Sequence, residues 1–207
     1  INGGRITAKT YGQNAVAINA YSVVTINGGT VSATVTGTGS TGISSQEDCI
    51  YILGGTVTAS GKAYGIQADD LVEIYGGTVS ATGNKGINAG DGITLGWNKP
   101  TDRIYASSYD GDIYVPATDG HKLYNGSGFL TGTVSDLDLI NGKTLQPAYD
   151  IRLQDNADND AAITADYHDG VPQFVTLQGR TLWKDGAWNT LCLPFSLTAE
   201  QIAANTD

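Results

Sequence analysis

Residues 26–33 read INGGTVSA, and the same figure returns as ILGGTVTA at 52–59 and as IYGGTVSA at 74–81, preceded by INGGRITA at 1–8. The starting positions lie 25, 26 and 22 residues apart. Self-similarity at such a period marks a solenoid. A second marker keeps step with the first: AINA at 17–20, GISS at 42–45, GIQA at 65–68 and GINA at 86–89. Between the two sits a third pattern, VTI at 24–26, IYI at 50–52, VEI at 72–74 and ITL at 93–95. Each unit of 21–26 residues thus holds three short segments of alternating polarity and no helical pattern. Such segments are strands. Three per unit predict an all-β chain folded as a right-handed parallel β-helix, in which each strand pairs with its equivalent one coil away at about 4.8 Å.

The register sorts side chains into columns. Ile18, Ile43, Ile66 and Ile87 form one inward stack, and Val24, Ile50, Val72 and Ile93 another, continued by Ile26, Ile52, Ile74 and Leu95. Val31, Val57 and Val79 make a third, with Ala33, Ala59 and Ala81 beside them. The glycine pairs 28–29, 54–55 and 76–77 fall at a corner, where a positive φ or close backbone approach excludes a Cβ. From Trp97 to Pro147 the repeat loosens, but alternating runs at 103–107, 112–116, 122–124 and 131–135 predict less regular coils or a capping meander. The β-helix is therefore assigned to 1–147, and 148–207 to the start of a second, truncated β-rich domain. That second part should hold a loop and short helix within 153–170, strands at 174–183 and 189–195, and a capping box at 198–201.

Composition narrows the function classes. The chain has 207 residues, 28 of them glycine, and 11 basic against 21 acidic groups for a net charge of −10, which argues against nucleic acid as a partner. No apolar run is long enough for a membrane-spanning helix. Cys49 and Cys192 are far apart in sequence; they read as two small buried hydrophobes, with a disulfide as the alternative in an oxidising compartment. The chain opens inside a repeat and closes inside a helical turn, and so reads as a piece of a longer protein.

The unit xGIxA…VxIxGGTVxA, over residues 1–96, resembles the repeats of bacterial secreted and cell-surface β-helix proteins, including a calcium-associated family that binds plant cell-wall polysaccharides. The segment WNTLCLPF at 188–195, with TLW at 181–183, resembles a module recurring in large surface proteins of anaerobic gut bacteria. Together the resemblances imply an exported, adhesin-like parent protein, outside the cell or on its surface, whose partner is a polysaccharide or a host or cell-surface glycan.

Outward residues stack as inward ones do. Two positions before the first inward residue of the third strand stand Ser22, Asp48, Asp70 and Asp91, so three successive coils bring a carboxylate to one corner. Adjacent like charges repel, and a hard cation such as Ca²⁺, bridging carboxylates and corner carbonyls, removes that cost. Asp48, Asp70 and Asp91 are the candidate metal ligands. Tyr51, Gln67, Glu73 and Asn88, with Glu47 and Asp69 nearby, are the candidate ligand-binding residues, Tyr51 serving as an apolar platform for a sugar. The opposing reading is a solvated face that keeps the surface soluble. The Thr30/Ser32, Thr56/Thr58 and Thr78/Ser80 column reads as ordinary strand surface rather than an ice-binding array.

Catalytic signatures are weak. The GxGxxG spelling at 37–42 precedes a strand, not the helix a dinucleotide site needs. His121 and His168 accompany no zinc motif, and the acidic run at 155–160 lacks the offsets of an EF-hand. A polysaccharide lyase or hydrolase on the same scaffold is the enzymatic alternative, but it wants a base beside the acidic corner, and Lys62 and Lys85 fall at a different one. A purely structural stalk is the other alternative. The sequence-based expectation is a non-catalytic adhesive or carbohydrate-binding segment assisted by Ca²⁺.

Overall fold

The computed structural model describes residues 1–116, 121–155, 157–166 and 171–179. The strand expected at 189–195, the capping box, Cys192 and His168 lie outside them. The described chain is an all-β solenoid. The first coil contains β1 (Arg5–Thr10), β2 (Val16–Ala20) and β3 (Val24–Ile26); the second, β4 (Thr30–Val35), β5 (Thr41–Ser45) and β6 (Ile50–Ile52). The third holds β7 (Thr56–Ser60), β8 (Tyr64–Ala68) and β9 (Leu71–Ile74), the fourth β10 (Thr78–Thr82), β11 (Lys85–Ala89) and β12 (Gly92–Leu95). A further parallel round is made by β13 (Arg103–Ala106), β14 (Tyr109–Asp110) and β15 (Ile113–Val115). Equivalent strands pair in parallel, giving three sheets: β1-β4-β7-β10-β13, β2-β5-β8-β11-β14 and β3-β6-β9-β12-β15.

The predicted columns are the core. Val31, Val57, Val79 and Ile104 are in register and at most 1% exposed, and Ala33, Ala59, Ala81 and Ala106 follow two residues on. Ile43, Ile66, Ile87 and Tyr109 stack in the second sheet, and Ile50, Val72, Ile93 and Ile113 in the third. Ile6 and Ile18 begin two of the columns and are more exposed than the members above them. Full burial of one such side chain contributes about 1.5–3 kcal/mol. The glycine corner works as expected from the sequence: Gly29, Gly55 and Gly77 have φ of 84°, 86° and 93°. They are stacked so closely that a Cβ on Gly55 would lie 2.6 Å from the carbonyl oxygen of Gly29.

Parallel stacking ends after β15. β18 (Gly132–Val134) pairs antiparallel with β15, and β19 (Thr144–Gln154) pairs antiparallel with β13 and with β16 (His121–Tyr124), which carries the short β17 (Phe129–Leu130). These strands cover two edges that would otherwise invite pairing. Of the two arrangements open for 97–147, one more round followed by an antiparallel cap is found. Trp97 ties the cap to the coils: its indole N–H donates to the Lys122 carbonyl at 2.8 Å and its ring meets Tyr149 edge-on at 4.9 Å. Residues 147 and 148, either side of the expected boundary, both sit inside β19, whose far half pairs in parallel with β20 (Gln173–Gln178). The expected short helix is α1 (Asp160–Asp166).

Candidate functional site: the aspartate corner and the faces beside it

Asp48, Asp70 and Asp91 lie in the turns that join the second sheet to the third, one coil above another. Their stacking follows from the strand register on either side: Ser45, Ala68 and Ala89 align before the corner, and Ile50, Val72 and Ile93 after it. The N–H of Asp91 donates to the carbonyl oxygen of Asp70 at 3.0 Å, so the turn backbones are themselves in contact. Ser22, the equivalent of the first coil, donates its hydroxyl to Oδ2 of Asp48 at 3.1 Å, and the Cys49 N–H donates to Oδ1 at 2.8 Å.

These contacts give the carboxyls opposite tendencies. Asp48 is held below its ordinary range by the Cys49 N–H first and the Ser22 hydroxyl next. Asp70 is pushed up, first by loss of hydration and then by the charges of Asp91, Asp48 and Asp69. The ion pairs among the described residues join Lys85 to Asp110, and Lys122 and Arg152 to Asp150; none reaches this corner. Lys62 and Lys85 do stand at the opposite end of the second sheet, where the chain arrives from the first.

One neighbour was missed as a participant. Cys49 is buried as expected, yet its sulfur and a carboxylate oxygen each from Asp48 and Asp70 all lie within 4.8 Å of one another. Asp91 is outside that group, which therefore converges as two carboxylates and a thiol rather than three carboxylates. The Tyr51 phenol is pushed up to about 12, chiefly by its hydrogen bond to the Cys49 thiol and that group's charge, then by burial, Glu73 and Asp48. A cysteine at this position was the available signal, because it precedes the inward Ile50 and must face the corner or the outside.

The remaining candidates occupy the faces on either side. Tyr51 and Glu73 are register partners on the third sheet, in the row Thr25, Tyr51, Glu73, Thr94 and Tyr114. The Tyr75 hydroxyl donates to Glu73 at 3.2 Å, and the Tyr21 hydroxyl to Glu47 at 2.6 Å. Gln67 and Asn88 are register partners on the second sheet, in the row Asn19, Ser44, Gln67, Asn88 and Asp110. The site is thus an acidic edge between an aromatic-and-carboxylate face and an amide-and-hydroxyl face. On the first sheet, Thr30, Thr56 and Thr78 stack as expected between Arg5 and Arg103. The 37–42 GxGxxG letters form a turn running into β5.

Set against known proteins, the chain matches no family model, no curated protein and no solved structure.

Proposed function

We propose that the chain is a non-catalytic, carbohydrate-binding adhesive segment of a bacterial surface protein, with Ca²⁺ as an accessory ion at the aspartate corner. The observation that carries the reading is the stack of Asp48, Asp70 and Asp91, in which the Asp70 and Asp91 turns are bonded to each other and whose charges meet no basic partner among the described residues. A hard divalent cation relieves such crowding, with carboxylates and turn carbonyls as oxygen donors. Tyr51 offers a ring face, and Glu73, Gln67 and Asn88 offer hydrogen-bonding groups to sugar hydroxyls. The sequence resemblance to calcium-associated β-helix repeats that bind plant cell-wall polysaccharides supports the same reading.

The test is a thermal-unfolding series of the whole chain with Ca²⁺, with EDTA, and with a panel of polysaccharides, alongside affinity-gel retention. A ligand that binds only the folded state raises the melting temperature. A calcium-dependent rise, and retention on at least one glycan that is lost in Asp70→Ala, are expected. Absence of any shift and any retention overturns the reading and leaves a spacer.

A further inference from the structure

We infer that a groove across β5 and β8, on the second sheet, is a subsite for one neutral pyranose ring of a glycan. The inference rests on the carbohydrate reading above and locates the sugar away from the acidic corner. Its origin is the glycine of the GIxA marker. Thr41 pairs with Tyr64 and Ile43 with Ile66, while at the intervening position the backbones come too close for a side chain: a Cβ on Gly42 would lie 2.6 Å from the carbonyl oxygen of Gly65. The strands are kinked there, so residues three apart face outward together. Thr41 and Ser44 on one strand, and Tyr64 and Gln67 on the next, line the same open groove of about 330 Å³, to which Asn14 and Asp69 also contribute. That size lies at the lower end for small-molecule sites and suits a single ring.

The Ser44 side of the groove is built rather than incidental. Ser44 is 7% exposed, and its hydroxyl has no hydrogen-bond partner among the described residues. Its oxygen remains accessible from the groove, and a ligand hydroxyl entering there supplies a partner. Thr41 reaches Gln67 only at 3.4 Å, leaving the amide of Gln67 with hydrogen-bonding capacity to spare. Tyr64 is half-buried and presents an aromatic wall to the apolar C–H face of a sugar. Asn14, the one non-glycine residue with positive φ among those described, at 52°, brings its amide to the rim. Amides, hydroxyls and one aromatic face are the groups that recognise a polyol.

Charge sets the ligand class. Asp69 is the only charged residue lining the groove; the Lys85 ammonium stands 6.0 Å from the centroid of the Tyr64 ring and is bound to Asp110. An anionic sugar would meet the Asp69 carboxylate while the cation beside Tyr64 is already paired, so a neutral glycan is favoured.

The experiment follows amide chemical shifts of the whole chain during titration with neutral cello-, xylo- and manno-oligosaccharides, with oligogalacturonate as the anionic comparison. Shifts centred on Thr41, Ser44 and Gln67 are expected for one neutral series. Tyr64→Ala and Gln67→Ala should each weaken binding about tenfold, the loss of roughly one contact, while the remote Thr56→Ala should bind as the parent does. Should Tyr64→Ala fail to fold, Gln67→Ala against Thr56→Ala carries the comparison. Glycan binding that instead perturbs the Asp48–Asp91 corner, or that survives Tyr64→Ala and Gln67→Ala unchanged, overturns the groove and leaves the carbohydrate reading standing. No response to any glycan removes both.

Discussion

Asp70 and Asp91 are joined through their backbones, carbonyl to N–H at 3.0 Å, so the two turns that carry their carboxylates are held one coil apart. The electrostatic consequence falls on Asp70, which is also the more dehydrated of the two. A raised carboxyl pKa in the folded state means that folding favours the protonated form. The contribution of Asp70 to stability is therefore best in acid and is lost as the pH rises through its raised value. Asp70→Asn should unfold at a higher temperature than the parent in EDTA at neutral pH, and the difference should vanish near about pH 3, where both side chains are neutral. Thermal unfolding at the two pH values decides it.

Asp48 behaves in the opposite sense. Its pKa is lowered by the Cys49 N–H and the Ser22 hydroxyl, so its contribution is complete above the ordinary carboxylate range and is lost as the pH falls through the lowered value. Asp48→Asn should be less stable than the parent at neutral pH, with the gap closing in acid. A gap of the same size at both pH values would mean that packing, not charge, is what the carboxylate supplies.

Tyr109 continues the isoleucine column of the second sheet into the final round, with its ring in the core and its hydroxyl buried without a partner among the described residues. Desolvation drives its pKa strongly upward. Removing an unpaired hydroxyl removes its desolvation penalty, so Tyr109→Phe should be neutral or stabilising by about 1 kcal/mol in urea unfolding. A loss of more than about 1 kcal/mol would reveal a buried water bonded to the phenol.

Ile66 is completely buried at the centre of its column, whereas Ile6 at the first rung is 37% exposed. Ile66→Ala should cost about 2–5 kcal/mol, and Ile6→Ala clearly less. Equal losses in urea titrations would contradict the column picture.

Gly55→Ala imposes a side chain on a residue with φ of 86° and drives its Cβ to 2.6 Å from a carbonyl oxygen of the coil below. The left-handed backbone alone costs about 1–2 kcal/mol for an L-residue, and the collision adds to it. A marked drop in melting temperature, with the far-ultraviolet spectrum still of β type, is the expected result.

Most of this architecture could be read from the letters, because a repeat with fixed period makes every inward and outward position a matter of counting. Ile43 over Ile18, and Asp70 over Asp48, needed nothing more. Counting failed where the local period changed. Tyr64 lies two residues before the inward Ile66 and by alternation belongs inside, but the kink at Gly65 turns it out beside Gln67. Direction was equally hidden: the run at 131–135 has the same alternation as a coil strand, yet β18 runs antiparallel to β15, since periodicity carries no information about which way a strand points. The thiol of Cys49 was read for its volume, and its approach to Asp48 and Asp70 depends on the turn conformation rather than on residue type.

The antiparallel strands β18 and β19 against the last parallel round also bear on how such a chain can change length. Duplicating a whole unit between two existing ones would keep every column continuous and every turn in its place, so the gene can acquire or shed interior copies at small cost. Past β15 the same event would have to dislodge strands running the other way. A unit inserted within the parallel ladder should therefore fold with its neighbours, whereas one inserted past β15 should not.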